Sequence, residues 1–276
     1  MTLQPQYTYT FDLEVLKNVS ITIAMPVYEN QVQLPCVLSL LSLSNFCVSN
    51  GLDLRVACGT NDALIPRVRN SLVNNFLNDN SNYLFFIDSD ISFDYRDVLE
   101  LVYIAETTGK KILAGAYPRK DMFWGQIATA LNKKMIQSVE DFTIYSGSHS
   151  VQLSDPEAEV KFDEPQKAEV VSSGFMLIHR DVFHTIMENF ADRLYRTDEY
   201  ASVRYSFFDC GVTYDPSYYS DSKFYASEDF KFCVDARSLG IEIWLCPWVN
   251  LGHTGTYTFT GSYMGALQAS SENRPS

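Results

Sequence analysis

Short apolar runs alternate with segments of helical period over the first 115 residues of this chain. The runs cover residues 19–25, 52–58, 83–87 and 111–115, and they are typical of buried strands. Segments 33–49, 66–77 and 95–108 carry the helical pattern, and the last of these stops at Gly109, as many helices stop at a glycine. Strands and helices that alternate at this spacing predict an α/β fold with a parallel, doubly wound sheet.

The alternation weakens between residues 118 and 169. This stretch is acidic and rich in turn residues, so it predicts either a hairpin insertion or a mobile loop. A strand interrupted by the Ser-Ser-Gly at 172–174 is expected at 170–179, and a helix from about Asp181. After a tyrosine-rich loop at 195–225, we expect a helix from 227–229 to about Leu239 and a final strand at 241–247. Residues 254–276 have no period and are expected to form a lid or a frayed tail.

Composition and charge narrow the class of protein. With 276 residues, 46% hydrophobic and 20% charged, the chain is typical of a soluble globular protein built as one large domain, or as one domain with a small lobe. Its net charge of −13 repels nucleic acid and acidic membranes, so nucleic acid is not an expected partner. A bound phosphate would have to be held locally, by a metal ion or by a few arginines.

The cysteines and the apolar runs bear on metal content and location. Six cysteines are dispersed without any C-x-x-C pair, a pattern of buried thiols that does not favour a zinc site. The N-terminus has no basic region followed by an apolar one, and no apolar run reaches the length of a membrane span. These features predict a cytoplasmic protein that does not cross a membrane.

Two carboxylates, Asp88 and Asp90, follow the apolar strand in the segment YLFFIDSDIS. Aspartates after a strand are often turn residues or helix N-caps, and Asp94 and Asp97 fit that description at the start of the next helix. Asp88 and Asp90 lie instead at the carboxyl end of a strand, where α/β sheets bind ligands. Adjacent like charges are costly unless a cation holds them, so we predict a site for Mg²⁺ or Mn²⁺.

Two further features are open to either a structural or a functional interpretation. Ser227, Glu228 and Asp229 suit a helix N-terminus on their own account, and they also supply two acids. His253 lies in the segment LGHTG after the last strand, where the flanking glycines allow close approach of a ligand. Each feature alone is a weak signal. Together with Asp88 and Asp90, the acid pair and the histidine form one set of candidate site residues.

The order of these segments resembles the GT-A nucleotide-diphospho-sugar glycosyltransferases, of the family-2-like type that carries Asp-x-Asp. The resemblance rests on IAMPVYE, PRVRN, the strand into DSD, SSGFMLIHR, the S-E-D helix start and the late histidine, and it spans residues 19–253. It implies a single GT-A domain over 1–276 with a Rossmann-like, mostly parallel sheet and an acceptor-side insertion. Residues 19–117 would bind the nucleotide sugar and residues 118–253 the acceptor.

The resemblance also implies a role for each of these candidate site residues. Asp88 would lie near the ribose or the metal, Asp90 would ligate the metal, and His253 would be a further ligand. The imidazole favours Mn²⁺ over Mg²⁺. Asp229 would be the catalytic base, with Glu228 as the alternate. The implied reaction is transfer of a hexosyl group from a UDP-sugar to a hydroxyl of a glycan or other acceptor.

The remaining candidates concern the donor and the acceptor. Pro26 and Tyr28 follow the first strand, where the family holds the base and ribose, although Tyr28 could equally be a packing residue. Arg67 and Arg69 could form bidentate hydrogen bonds with a phosphate, or they could lie on a solvated helix face. Gly174 completes the donor-binding set. Trp124 and the tyrosine-rich loop offer faces for stacking on an acceptor sugar.

Two other classes of protein remain open at this stage. Asp-Ser-Asp after an apolar strand approximates the nucleophile loop of haloacid-dehalogenase-like phosphohydrolases, in which Asp88 would be phosphorylated and Asp90 would be the acid/base. Two strands precede the motif here, whereas that family carries it near the first strand. A non-catalytic sugar-nucleotide-binding module would show the same sequence features.

Overall fold

The computed structural model describes residues 7–60, 62–139, 141–196, 202–217 and 221–256. Its strands are β1 Ser20–Pro26, β2 Asp53–Gly59, β3 Tyr83–Ile87, β4 Ile91–Ser92, β5 Ile112–Ala114, β6 Gln152–Leu153, β7 Gln166–Val170, β8 Phe175–His179, β9 Leu194–Arg196, β10 Val203–Tyr205, β11 Gly211–Thr213, β12 Phe224–Ala226, β13 Ile243–Leu245 and β14 Gly252–His253. Its helices are α1 Leu13–Leu16, α2 Leu34–Asn50, α3 Ile65–Leu77, α4 Tyr95–Thr108, α5 Trp124–Asn132, α6 Asp141–Ile144, α7 Arg180–Asn189 and α8 Glu228–Ser238.

Eight of these strands form one central sheet in the order β2-β1-β3-β8-β5-β13-β7-β6. Strands β1, β2 and β3 are parallel to one another, as are β5 and β13. Strands β8 and β7 run against their neighbours, so six of the eight strands share one direction. The fold is therefore α/β with a large, mostly parallel sheet, as the sequence predicts.

Both faces of the sheet are covered, because the strand side chains alternate between two cores. In β3, Tyr83, Phe85 and Ile87 pack in the core that contains α2 and α4. Leu84 and Phe86 belong to the other core, which contains α3, α7 and α8. All five β3 side chains are buried, which explains why the strand is a continuous apolar run without a polar face. The predicted doubly wound arrangement is confirmed.

Two expectations need correction. Residues 170–179 form two strands rather than one interrupted strand, because the chain turns at 172–174 between β7 and β8. Strand β8 then inserts antiparallel between β3 and β5, so the sheet is mixed. An apolar run reports burial on both faces but not strand direction, which depends on the preceding connection.

The region 118–169 contains more structure than its composition indicates. Strands β6 and β7 form the antiparallel hairpin that was one of the two expected outcomes. Helix α5 was not expected, because its inward face consists only of Ile127 and Ala130 and no side chain caps its start. Parts of the tyrosine-rich loop (197–201 and 218–220), and all but three residues of the expected lid or tail at 254–276, lie outside the described residues.

Two buried carboxylates of α4 hold the segment that precedes β1. Glu100 is fully buried and accepts hydrogen bonds from the hydroxyl of Tyr7 (2.9 Å) and from the backbone amides of Thr10 (2.8 Å) and Phe11 (3.0 Å). Asp97 accepts one from the hydroxyl of Tyr9 (2.8 Å). Asp94 caps α4 by accepting from the Arg96 amide, as predicted. Asp97 is in contrast a buried tertiary contact.

We predict that Asp97 makes the stability of the protein depend on pH. Burial raises the pKa of Asp97 from 3.8 to about 7, even though the Tyr9 hydroxyl donates to it. A raised pKa means that the folded state holds this proton more tightly, so stability from this group is full below about pH 4 and falls as pH rises toward 7. The loss is on the order of a few kcal/mol.

The measurement is the midpoint of thermal unfolding of wild type and Asp97→Asn between pH 4 and pH 8. The asparagine stays neutral and can still accept from Tyr9, so the difference between the two proteins should grow in favour of the variant as pH rises. Asp53→Asn, at an exposed carboxyl on β2, is the matched control for the substitution itself. A difference for Asp97→Asn that does not vary with pH would contradict the prediction.

Candidate active site

Asp88 and Asp90 lie in a turn at the carboxyl end of β3, next to the loop between β7 and β8. The backbone amide of Asp88 donates to the carbonyl of Gly174 (3.0 Å), and the amide of Ile91 donates to the carbonyl of Asp88 (3.1 Å). The chain therefore reverses immediately after the last buried residue of β3. This reversal places both carboxylates at the sheet edge where α/β folds bind their ligands.

Arg69 on α3 joins Asp88 to Glu228 at the start of α8. Its Nη2 lies 2.8 Å and 3.1 Å from the two carboxylate oxygens of Asp88, and its Nε lies 3.5 Å from Oε1 of Glu228. The Arg69 side chain is only 4% exposed and lies over the ring of Phe86. Burial alone would lower the pKa of Arg69, but the charges of Asp88 and Glu228 outweigh it and raise the pKa. Arg69 is thus a buried cation that orients two acids.

Gly174 leaves room for Asp88 and Tyr117 to approach each other. A Cβ atom at position 174 would lie 2.7 Å from the Tyr117 hydroxyl and 2.8 Å from Oδ2 of Asp88. Burial, followed by the charge of Asp88, raises the pKa of Tyr117, so its phenol stays protonated and can donate. Gly174, predicted as a donor-binding residue, is therefore in close contact with the protein's own side chains.

His253 is fixed beside Asp90 by three contacts. Strand β14 pairs with β4, which sets His253 opposite Ile91, and the amide of Thr254 donates to the carbonyl of Asp90 (2.9 Å). Nδ1 of His253 lies 2.8 Å from the carbonyl oxygen of Pro118, so Nδ1 carries the hydrogen. Nε2 lies 3.5 Å from Oδ1 of Asp90, so it can donate to that carboxylate when it carries a hydrogen and can present a lone pair to a cation when it does not. A histidine whose Nδ1 is tied to a carbonyl is the usual arrangement of a metal ligand.

Lys120 contacts the other oxygen of Asp90. Its ammonium group forms a short ion pair with Oδ2, and its methylene stem passes over Gly255, where a Cβ would lie 2.7 Å from the lysine side chain. Burial alone would raise the pKa of Asp90, but the hydrogen bonds with His253 and Lys120 outweigh it and lower the pKa. Asp90 is therefore held as an anion between two basic side chains.

The predicted metal ligands are only partly brought together. Asp90 and His253 face each other, whereas Asp88 is turned to Arg69. Among the described residues no group of three acids, histidines or cysteines could hold a metal ion. The physical reason is that Arg69 already neutralises Asp88. One carboxylate and one imidazole whose Nδ1 is held by a carbonyl would hold a divalent cation only if further ligands completed its coordination.

The two acids at the start of α8 have different surroundings. Glu228 contacts Arg69, and burial, together with the neighbouring charge of Asp229, raises its pKa. Oδ1 of Asp229 accepts from the amide of Phe230 (2.8 Å) and contacts the hydroxyl of Ser227. Its Oδ2 has no hydrogen-bond donor within the described residues. Of the two candidates for a base, Asp229 has the freer carboxylate.

The loop after β1 approaches the Asp-Ser-Asp turn. The amide of Gln33 donates to the carbonyl of Ser89 (2.8 Å), while Pro26 is buried and Tyr28 is 53% exposed. Glu29 and Asn30 both have positive φ, at 52° and 56°, a conformation that costs free energy for residues other than glycine. Strain of this kind is concentrated at ligand-binding segments, which agrees with the role predicted for this loop.

Two other predicted residues lie at the surface. Arg67 is 57% exposed at its side chain and forms an ion pair with Asp62, so it differs from the buried Arg69 one half-turn away on α3. Trp124 is 61% exposed at the start of α5. Trp124 is thus open to solvent, whereas the Arg67 guanidinium is engaged with Asp62.

Sequence reasoning did not identify Lys120 or Tyr117. Both belong to the YPRKD segment after β5, and the only signal for them was their place just beyond a strand that ends at the carboxyl edge of the sheet. Ligands of α/β sheets bind beyond the carboxyl ends of the strands. This rule, applied to β5 as well as to β3, would have pointed to both residues.

Comparisons with known proteins reveal likeness in shape only. No family model matches the sequence, and no curated protein matches it significantly. Among solved structures, A197 from STIV is 15% identical with a TM-score of 0.45, and the match covers 86% of this chain and 87% of that one. GalNAc-T7, solved with UDP, GalNAc and Mn²⁺, is 10% identical with a TM-score of 0.45. That match covers 85% of this chain but 44% of GalNAc-T7. Likeness at this level does not define an activity.

We predict that Arg69 stabilises the fold much more than Arg67 does. Arg69→Met removes the cation between Asp88 and Glu228, and leaving partly buried carboxylates unpaired should cost about 3 kcal/mol. Arg67→Met, on the same helix, breaks only an exposed ion pair and should cost about 1 kcal/mol or less. Urea unfolding followed by circular dichroism measures both. Equal losses in the two variants would show that the buried ion pairs do not hold this region.

Proposed function

We propose that the protein is a metal-dependent glycosyltransferase that moves a sugar, as a hexosyl group, from a nucleotide-diphosphate sugar to a hydroxyl of a glycan or other acceptor. The observation that carries the proposal is the pairing of Asp90 with Nε2 of His253, beside Lys120, at the carboxyl edge of the sheet. The Nδ1 atom of the same ring is held by the carbonyl of Pro118. A nucleoside diphosphate leaving group needs positive charge at such a place. UDP is the favoured nucleotide and Mn²⁺, or Mg²⁺, the favoured cation.

In this proposal each side chain has one task. Asp90 and His253 hold the cation, which when bound neutralises charge on the departing diphosphate. Lys120 supplies a further positive charge at the same carboxylate. Tyr28 and the strained loop after β1 receive the base and ribose, and Arg67 would exchange its ion pair with Asp62 for a phosphate. Asp88 is fixed through Arg69, so its contact is with the ribose or with a water on the cation.

Asp229 is proposed as the base that takes the proton of the acceptor hydroxyl. Its free Oδ2 supports this role, since a base needs an unengaged oxygen within reach of the substrate. Glu228 acts through Arg69 as a positioning residue. Residues 19–117 would then form the donor-binding half and residues 118–253 the acceptor-binding half.

The phosphohydrolase alternative is less well supported by the contacts of Asp88. A phosphorylated aspartate must attack with an available oxygen. Both oxygens of Asp88 are instead within 3.1 Å of Nη2 of Arg69, a buried cation that stabilises the carboxylate and reduces its nucleophilicity. A sugar-nucleotide-binding module without catalysis would keep the donor site, but Asp229 would not act as a base in it and no sugar would be transferred.

The first prediction from this proposal concerns the cation. Asp90→Ala and His253→Ala should each weaken Mn²⁺-dependent UDP binding by about 10- to 100-fold or more. Loss of a residue that only hydrogen-bonds to a metal ligand typically costs that much, and loss of a ligand should cost at least as much. Mn²⁺ electron paramagnetic resonance with UDP present, together with calorimetry, measures the affinity. His184→Ala, at an exposed histidine of α7, is the control. Unchanged Mn²⁺ affinity in both site variants would remove the cation from the proposal.

The second prediction concerns the base. Asp229→Asn should lower the transfer rate at saturating donor by about 10²- to 10⁴-fold while donor affinity and unfolding temperature change little. If Asp229 only favours the start of α8, the same change should cost about 0.5 to 1 kcal/mol of stability and leave the rate alone. Glu228→Gln is the comparison, since loss of its charge should alter stability through Arg69. A rate for Asp229→Asn within about threefold of wild type, well short of that range, would exclude the base role.

A further inference from the structure

Exposed apolar side chains are concentrated in and around α5. Met122, Phe123 and Trp124 precede or begin the helix and are 39%, 48% and 61% exposed, and Leu131 and Met135 near its end are 46% and 41% exposed. Aromatic and thioether side chains clustered in this way are unusual on a surface that meets only water. We call these five residues, with Lys133 and Lys134, the α5 patch.

The apolar face of α5 is wider than the part that the protein covers. Ile127 and Ala130 point into the fold and are 5% and 3% exposed. Trp124, Ala128 and Leu131 follow one another at i, i+4 and i+7, which forms a second apolar stripe beside the first, and all three are exposed. One stripe therefore anchors the helix to the protein, and the other is left open.

Two basic residues, Lys133 and Lys134, follow the end of α5. Residues 119–135 contain four basic side chains and one acidic one, in a chain whose net charge is −13, but Arg119 is paired with Asp121 and Lys120 with Asp90. Lys133 and Lys134 are exposed and form no ion pair within the described part of the chain. The nearby Asp141 is buried and is occupied by the amides of Gln137 (2.7 Å) and Ser138 (2.9 Å), so it does not offset the lysines at the surface.

We propose that the α5 patch docks the protein on an anionic phospholipid surface, with α5 in the plane of the interface. A short amphipathic helix that begins at an exposed Phe-Trp pair and is followed by two exposed lysines combines the apolar and basic groups that bind such surfaces. The net charge of −13 does not prevent docking, because charges beyond about 8 Å are screened at physiological ionic strength and the lipid senses mainly the patch. Within the described residues no helix is long and apolar enough to cross a membrane, so the contact is peripheral.

The start of α5 is firmly connected to the candidate active site. The amides of Arg119 and Phe123 donate to the carbonyls of Ser148 (2.8 Å) and Ser146 (2.9 Å), and the carbonyl of Pro118 contacts His253. Docking would therefore hold the open edge of the sheet close to the lipid surface. The proposal stands on exposure and charge, and it does not depend on whether the protein transfers sugars.

Helix α2 offers a matched comparison. Leu34, Leu38 and Leu41 are 67%, 56% and 53% exposed, yet the helix contains no charged residue and no aromatic side chain on that face. An apolar stripe without basic residues has no reason to prefer anionic lipid. Substitutions there test whether exposed leucines alone explain vesicle binding.

The experiment is co-sedimentation of the full chain with vesicles of phosphatidylcholine and phosphatidylserine (70:30), and with vesicles of phosphatidylcholine alone. We expect binding to the mixed vesicles, with a blue shift of tryptophan emission. Trp124→Phe should bind but lose most of that shift, since Trp248 is buried and Trp244 is half-buried beneath Lys110. Failure of the wild-type protein to sediment with either vesicle would overturn the proposal.

Three double variants test which features carry the binding. Lys133→Gln/Lys134→Gln should lower the partition constant for mixed vesicles by about fivefold for each lysine, and Phe123→Ser/Trp124→Ser by about tenfold or more. Leu38→Ser/Leu41→Ser should leave it unchanged. Circular dichroism checks that each variant is folded, and the lysine variant remains informative if the aromatic one is not.

Two outcomes would overturn the proposal even if the protein binds vesicles. The first is an equal loss of binding in the α2 and α5 variants, which would indicate non-specific adsorption. The second is self-association in analytical ultracentrifugation that is abolished by Phe123→Ser/Trp124→Ser, which would make a second copy of the chain the occupant of the patch.

Discussion

The buried guanidinium of Arg69 is the interaction on which the rest of the site depends. A cation that is 4% exposed must be paired with acids, because an unpaired buried charge is very costly. Arg69 meets Asp88 at the end of β3 and Glu228 at the start of α8, so one side chain ties a strand and two helices together. Asp229, the neighbour of Glu228, takes no part in these ion pairs.

Two carboxylates one residue apart avoid mutual repulsion because each has its own cation. Asp88 is neutralised from inside the fold by Arg69, and Asp90 from the open side by Lys120 and His253. The two positions consequently divide their roles. Asp88 contributes rigidity, whereas Asp90 is the carboxylate proposed to bind the cation. This division follows from where each side chain points.

The segment between β5 and β7 contacts His253 and Asp90 and also carries the exposed aromatic residues of the α5 patch. Pro118 anchors the His253 ring and Lys120 pairs with Asp90, and a few residues later Phe123 and Trp124 leave the fold for solvent. The proposed docking surface and the contacts of Asp90 and His253 are therefore joined by a short, hydrogen-bonded stretch of chain. An acidic protein can carry a basic, apolar surface here because the two properties are segregated in space.

Local pattern alone determined the strands β1, β2 and β3, the helices α2, α3, α4 and α8, and the placement of Asp88 and Asp90 at a strand end. Burial leaves a periodic trace in the sequence, and glycine or proline marks where it stops. Only the tertiary structure decided the antiparallel insertion of β8, the burial of Arg69 and the contact of Lys120 with Asp90. Strand direction and charge pairing depend on residues far apart in the chain, and periodicity carries no information about which distant cation will reach a given carboxylate.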